Sequence, residues 1–365
     1  MSFPNGVASW DRYARTEQYQ SYVRNPRNVE KETGKYFPRL TSFKRWFGQD
    51  SNIRIEFSAP KLLYMNNLDE LEDKDFPQVI GVLRDRLKTM GIDIEKAVLE
   101  DAPVSSVHFS RNIELVGGYT ASYLIAEMNK VNLSKNLDFA RTRFLNDGQS
   151  LYAHNSSHEL VIYDKVADLK SANKRAIDRD QPLYQRHLPA VLSTTSDRTE
   201  IIRFEVRLIK KRKLESVLEG LGYAKGATFK KVFSSVLSQK IIISYWKEII
   251  LTGSFGIFAP SLSIKDMLKN LFLSDEGLKP KPAIYLLGLF MLSKDEGGMR
   301  QLRSIVSKRM GERTWYRMTK DVDIAGQMIV KGRVSDWVLH IDKSLKAYKP
   351  YRLKVIPSPE EIRKV

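Results

Sequence analysis

The chain contains no cysteine. Disulfides, thiolate nucleophiles and cysteine-ligated zinc are therefore excluded. Histidine is scarce, with five in 365 residues. Long apolar runs are missing too. The run PAIYLLGLFMLS falls far short of the roughly 20 residues a membrane-crossing helix needs. The opening stretch MSFPNGVASWDRYARTEQYQ has no apolar core segment, so a secretory signal is not expected there. Acidic residues are outnumbered, 43 against 60 lysines and arginines, for a net charge of +17. A surplus of that size bears on partners more than on fold. Nucleic acid is the polyanion that phosphate neutralisation by Lys and Arg suits best. An anionic membrane surface is the competing partner, but no amphipathic anchor helix stands out, so no membrane partner is expected. The cytoplasm of a host cell is the expected location.

A hydrophobic share of 42% is normal for a globular protein, and 365 residues suggest two domains. Residues 1 to about 50 are polar, aromatic and basic, and read as an extended lead-in. NIRIEFSAPKLLY sets Ile53, Ile55 and Phe57 against Arg54 and Glu56, a strand closed by Pro60. FPQVIGVLRDRLKTMGI has helical spacing with Gly91 at its end. VSSVHFSRNIELVG reads as a strand ending at Gly117-Gly118, and ASYLIAEMNKVNL as a helix. SLYAHNSSHELVIYDKVADL reads as a hairpin turning at HNSS. TEIIRFEVRLIKK alternates Ile202, Phe204, Val206 and Leu208 with Arg203, Glu205 and Arg207. After about residue 213 the pattern turns helical, until SDWVLHID, which reads as a short strand. The expectation is an α+β fold: an antiparallel-sheet domain over 1–213 and a mainly helical domain over 214–365.

Four strands carry polar residues opposite their apolar stripe: Glu56; His108, Ser110 and Asn112; Tyr163 and Lys165; and Glu205 between arginines. One explanation is a sheet with a wet face, common in antiparallel sheets. The other is convergence on one site. Two carboxylates and an imidazole suit Mg²⁺ or Mn²⁺. A tyrosine beside such a site can attack a phosphodiester, with a lysine to stabilise the developing charge.

The segments IRIEFSAPKLLYMNNLDEL, VHFSRNIEL, ELVIYDKVADL, IIRFEVRLIKKRKL and MGERTWYRMTKDVDIAG occur in that order. From about residue 36 to about residue 330 the chain thus resembles the filamentous-phage gene II type replication initiators. These are the phage and plasmid CRI replication proteins with a phage-X type C-terminal region, related to the HUH endonucleases. The resemblance implies an HUH-like nuclease sheet and a rolling-circle initiator that nicks and religates one strand at the origin. It implies tyrosine attack, a 5′-phosphotyrosyl intermediate and a 3′-hydroxyl primer. Tyr163 falls on the family's nucleophile and Lys165 on its lysine. Arg203, Phe204 and Glu205 fall on its R-F-E strand, and Glu56 on the glutamate before S-A-P-K. The implied metal set is His108, Glu56 and Glu205, holding Mg²⁺ or Mn²⁺. Where HUH enzymes have two histidines, this chain has His108 and Ser110, so Asn112 or Asp164 are further candidates, and the alternative role for Glu205 is a structural partner of Arg203 or Arg207. Expected partners are origin DNA, a host helicase and polymerase, and a second copy at the origin.

Tyr152 and Tyr184 are the alternative nucleophiles. His154 and His158 read as solvated turn residues. The basic run RLIKKRK, Arg207 to Lys213, reads either as a solvated element end or as a phosphate contact through Arg207, Lys210, Lys211 and Arg212, with Arg203 as a further DNA-binding candidate. MRQLRSIVSKRMGERTWYRMTKDV reads as two helices meeting at Gly311, with Arg303, Arg313 and Arg317 offered to duplex DNA. Trp315 and Tyr316 read as core. A non-catalytic DNA-binding regulator on the same scaffold is the alternative function. A tyrosine recombinase, suggested by His108 and Arg111 as H-x-x-R, is set aside because the motif lies on an early strand.

Overall fold

The computed structural model describes residues 11–15, 19–45, 51–131, 143–145, 149–175, 188, 199–251 and 256–353. It is an α+β fold with two antiparallel sheets. The first sheet is a meander of β1 (Asp11–Arg15), β2 (Tyr19–Arg24), β3 (Arg39–Arg45) and β4 (Ser51–Glu56). The stretch read as a lead-in therefore supplies three of its four strands, together with a short helix, α1 (Asn28–Glu32). Ile53, Ile55 and Phe57 pack as the alternation predicts, onto the buried Val79, Ile80 and Leu83 of α3 (Phe76–Thr89). Pro60 lies in the first turn of α2 (Ala59–Tyr64), where its missing N–H costs nothing. A short α4 (Lys96–Glu100) leads toward the second sheet.

That second sheet holds β5 (Val107–Glu114), β6 (Arg143–Leu145), β7 (Ser150–His154), β8 (His158–Asp164) and β9 (Ile201–Leu208). Their spatial order is β5-β9-β8-β7-β6. The β7–β8 hairpin turns as predicted. The Asn155 carboxamide oxygen accepts from the Ser157 and His158 N–H groups at 2.8 and 3.0 Å, an Asx-type turn. One face of the sheet is apolar: Phe109, Leu151, Leu160, Ile162, Phe204 and Val206 are buried. It is covered by α5 (Ala121–Asn129), α9 (Ser235–Leu251) and α14 (Asp336–Ala347). Phe204 meets Trp246 of α9 edge to face, with centroids 5.5 Å apart.

The segment SDWVLHID is helical, not a strand. It opens α14, where Trp337, Val338, Ile341 and Leu345 face the core at helical spacing. The hairpin strand also ends sooner than read. Asp164 accepts from the Ala167 N–H at 2.9 Å and starts α6 (Lys165–Arg175). Lys165 is thus the first residue of a helix.

The remaining helices are α7 (Lys211–Gly220), α8 (Phe229–Val232), α10 (Ile264–Ser274), α11 (Pro280–Lys294), α12 (Gly298–Val306) and α13 (Glu312–Val330). Leu214 and Leu218 of α7 and Trp315 and Met318 of α13 belong to the same core as the five-stranded sheet. A smaller core joins α10, α11 and α13 through Leu271, Phe290 and Ile329. Gly256 allows a close approach to that core: a Cβ there would lie 2.6 Å from the Phe290 ring. After α14 the chain returns to the first half. Tyr351 exchanges hydrogen bonds with Glu70, giving its N–H to Oε2 at 2.9 Å and accepting from the Glu70 N–H at 3.1 Å. Arg111 is buried in the same knot, paired with Glu70 and stacked 3.6 Å over the Tyr348 ring. No helix among the described residues is long and apolar enough to cross a membrane.

Candidate active site

The face of the five-stranded sheet opposite its core is polar, and register gathers its residues. Ser110 is opposite Glu205 and His108 is opposite Arg207. Tyr163 is opposite Arg203 and Glu159 is opposite Arg207. Three adjacent strands, β5, β9 and β8, thereby bring His108, Glu205 and Tyr163 together.

Glu205 is the hub. It is 7% exposed, a costly place for a carboxylate unless it is paired. Its Oε1 accepts from Arg207 Nε at 2.7 Å and lies 3.4 Å from His108 Nδ1. Its Oε2 accepts from the Tyr163 hydroxyl at 3.2 Å and lies 3.7 Å from Arg203 Nε. Burial alone would raise its pKa. The His108 contact and the two guanidinium charges outweigh burial and hold it well below the usual carboxylate range. Tyr163 shifts the other way. Its burial, opposed by Arg203 but reinforced by Glu205, raises the phenol above its ordinary value.

Lys165 is fully buried beneath this face. Its Nζ bonds Asp168 at 2.8 Å and lies 5.5 Å from the Tyr163 ring centre. Burial, with Arg203 nearby, pushes its pKa down to about 8 against the pull of Asp168. A lysine held there can take and release a proton near neutral pH.

Tyr152, on β7, belongs to the same network. Its hydroxyl accepts from Arg207 and donates to Glu159 at 3.0 Å. Burial raises its pKa to about 12, with the Arg207 charge opposing. Tyr184 lies outside the described residues. Arg203 is fixed from the flank, donating to the Asn67 carbonyl and the Ser110 hydroxyl, both at 2.6 Å. Its Nε and the buried Asn112 Oδ1 have no hydrogen-bond partner. Sequence reasoning missed Asn67 and Glu159. Asn67 acts through its backbone, which leaves no side-chain signal. Glu159 had a signal: it stands four residues before Tyr163 on β8, and so on the same strand face.

Other predicted residues are elsewhere. Glu56 lies on β4 of the first sheet, opposite Arg39, with its carboxylate 3.9 Å from that guanidinium. Asp164 caps α6. His158 is not solvated: it is 4% exposed, its ring centre 5.7 Å from that of Tyr245. Burial pushes its pKa down to about 4, with Lys213 adding to the shift. His108 and Arg111 are three residues apart on a strand and so point to opposite faces. Lys210, Lys211 and Arg212 are exposed where β9 runs into α7. Arg313 and Arg317 are exposed on α13, and Arg303 on α12 sits 3.9 Å from Glu312. Both helices pack on the core side of the sheet. Trp315 is core as expected, at 3% exposure, whereas Tyr316 is 46% exposed.

The gathered residues do not fit a resident Mg²⁺ or Mn²⁺. Such an ion takes about six oxygen-rich ligands. Of the expected set only His108 and Glu205 come together, and both Glu205 oxygens already face guanidinium or phenol groups. No group of three or more potential ligands occurs among the described residues. The arrangement suits an anion better: Arg203 and Arg207 face Glu205, which holds the Tyr163 hydroxyl, and Lys165 Nζ lies 5.5 Å from the Tyr163 ring centre. No family model, curated protein or solved structure matches the chain.

Proposed function

We propose that the protein nicks and religates single-stranded DNA at a replication origin, with Tyr163 as the nucleophile. The observation that carries this reading is the Tyr163–Glu205 hydrogen bond, set beside Arg203 and Arg207 on one sheet face with Lys165 buried beneath it. The Tyr163 oxygen attacks phosphorus and the bond to the 3′ oxygen breaks. The phenol proton passes to Glu205 and then to the departing 3′ oxygen. The products are a 5′-phosphotyrosyl adduct and a 3′-hydroxyl. Glu205 is a weak base while two guanidinium groups face it. A phosphate entering between Arg203 and Arg207 draws that positive charge toward itself and returns basicity to Glu205. Arg203 and Arg207 then stabilise the charge on the pentavalent phosphorus, with the buried Lys165 adding positive potential from beneath. The basic run Lys210–Arg212 extends from the end of the same strand and suits the DNA backbone.

The test is a nicking assay on supercoiled DNA of the replicon that encodes the chain. Wild type, Tyr163→Phe and Tyr152→Phe are compared with and without Mg²⁺ or Mn²⁺. Wild type and Tyr152→Phe are expected to nick and form an adduct stable to denaturation, while Tyr163→Phe binds and does neither. Loss of nicking in Tyr152→Phe alone moves the nucleophile to β7.

A second reading, a non-catalytic DNA-binding regulator, has its own support. Glu205 is already satisfied by two arginines, and burial raises the Tyr163 pKa. That is what a purely structural polar network looks like. It predicts DNA binding without nicking and a Tyr163→Phe variant that keeps full activity.

A further inference from the structure

Helix α11 has the sequence PKPAIYLLGLFMLSK, apolar on every side through its middle turns. That composition belongs to a helix covered all round. One side is covered: Leu287 and Phe290 are buried against α10 and α13. The other side is open. Ile284, Tyr285, Met291 and Leu292 are 63, 51, 38 and 49% exposed, and at spacings of three and four they form one stripe. Contiguous exposed apolar surface of this kind marks an interaction site.

Gly288 lies at the centre of the stripe. Glycine is the poorest helix former after proline, and nothing among the described residues requires it here: an added Cβ would meet none of their atoms within 4 Å. An external helix crossing closely at this point would require it. The residues about Gly288 are also symmetric. Tyr285 and Met291 lie three positions to either side, Ile284 and Leu292 four, and Lys281 and Asp295 seven. Both members of the charged pair are exposed. Positive charge marks one end of the stripe and negative charge the other.

We propose that this face binds the same face of a second copy, with the two α11 helices antiparallel and the two-fold axis at Gly288. In that arrangement Ile284 meets Leu292, Tyr285 meets Met291 and Lys281 meets Asp295, each twice, as a self-complementary interface demands. Parallel packing would set lysine against lysine. Tyr285 is held ready by its hydrogen bond to Asp321 at 3.2 Å. A single helix pair is a small interface, so the dimer is weak and concentration-dependent. The proposal stands independently of the nicking chemistry.

Sedimentation velocity of the full chain from about 1 to about 100 µM tests it. A monomer–dimer equilibrium is expected for wild type. Lys281→Glu sets like charges together and is expected to weaken the dimer at least about tenfold. The double variant Lys281→Glu/Asp295→Lys restores the pairing and is expected to return to within about threefold of wild type. Because the chain has no cysteine, Ile284→Cys and Leu292→Cys report the register while Gly288 stays in place. Oxidation of the two variants mixed is expected to give a covalent dimer, whereas Leu339→Cys, on the exposed side of α14, gives none. A wild type that stays monomeric overturns the proposal. So does a double variant no better than the single one, or cross-linking of the mixture no greater than that of Leu339→Cys.

Discussion

Lys165 carries a positive charge in a fully buried position, with one hydrogen-bonding carboxylate, Asp168, that is itself 45% exposed. The drop in its pKa from 10.5 to about 8 corresponds to about 3 kcal/mol of added cost for the charged form. Replacing it with methionine removes the charge and keeps an unbranched chain of similar length. That figure already includes the attraction of Asp168. Lys165→Met is therefore expected to be more stable than wild type by about 3 kcal/mol at pH 7. The difference depends on pH with a definite sign. Between about pH 8 and 10.5 the unfolded chain still holds the lysine proton while the folded chain has released it. Wild-type stability therefore gains on the variant as pH rises through that window, and the difference shrinks. Urea unfolding followed by tryptophan fluorescence at about pH 7 and about pH 10 measures both numbers. A variant less stable than wild type at neutral pH, or a difference unchanged between the two conditions, would refute the reasoning.

His158 supplies the opposite window. Its pKa falls from 6.5 to about 4 on folding, so wild type is expected to lose about 3 kcal/mol as pH drops through that range. His158→Gln should show a flatter acid profile in the same unfolding assay. Arg111→Ala leaves Glu70 buried, at 6% exposure, without its cation. It should cost about 3 to 5 kcal/mol, read as a lower urea midpoint, with Glu70→Gln/Arg111→Met recovering most of the loss. Replacing Lys210, Lys211 and Arg212 together with alanine should weaken DNA binding at all sequences. It should also reduce the slope of log K against log salt by about 2 to 3, as measured by anisotropy titration at several salt concentrations.

Elements with a clean alternation were legible in the sequence. β4, β5 and β9 stand where Ile53–Ile55, Phe109–Ile113 and Ile202–Leu208 place them. The other three strands of the N-terminal sheet were not, because the buried positions of β2 and β3 include Ser21, Arg24, Thr41 and Ser42. Arg24 is neutralised by Glu30 at 2.5 Å, and a buried ion pair leaves no apolar stripe to read. SDWVLHID was too short a window: its helical period shows only once Leu345 is included. The continuation of β8 through Lys165 overlooked Asp164 as a helix cap, a signal its position offered. At the site, the residues on three strands were nameable in advance, but their meeting depends on the register of β5, β9 and β8. Register is set by pairings far apart in sequence. Glu56 shared the same local pattern and fell on the other sheet for that reason.

The most direct test of the central claim is to trap the covalent adduct and map it. A suicide single-stranded origin oligonucleotide is incubated with wild-type protein. The complex is digested with protease and nuclease, and the modified peptide is sequenced by mass spectrometry. The account predicts a 5′-phosphonucleotide on Tyr163, in the peptide that contains HELVIYD. A nucleotide on Tyr152 or another tyrosine, or DNA bound with no adduct, would contradict it.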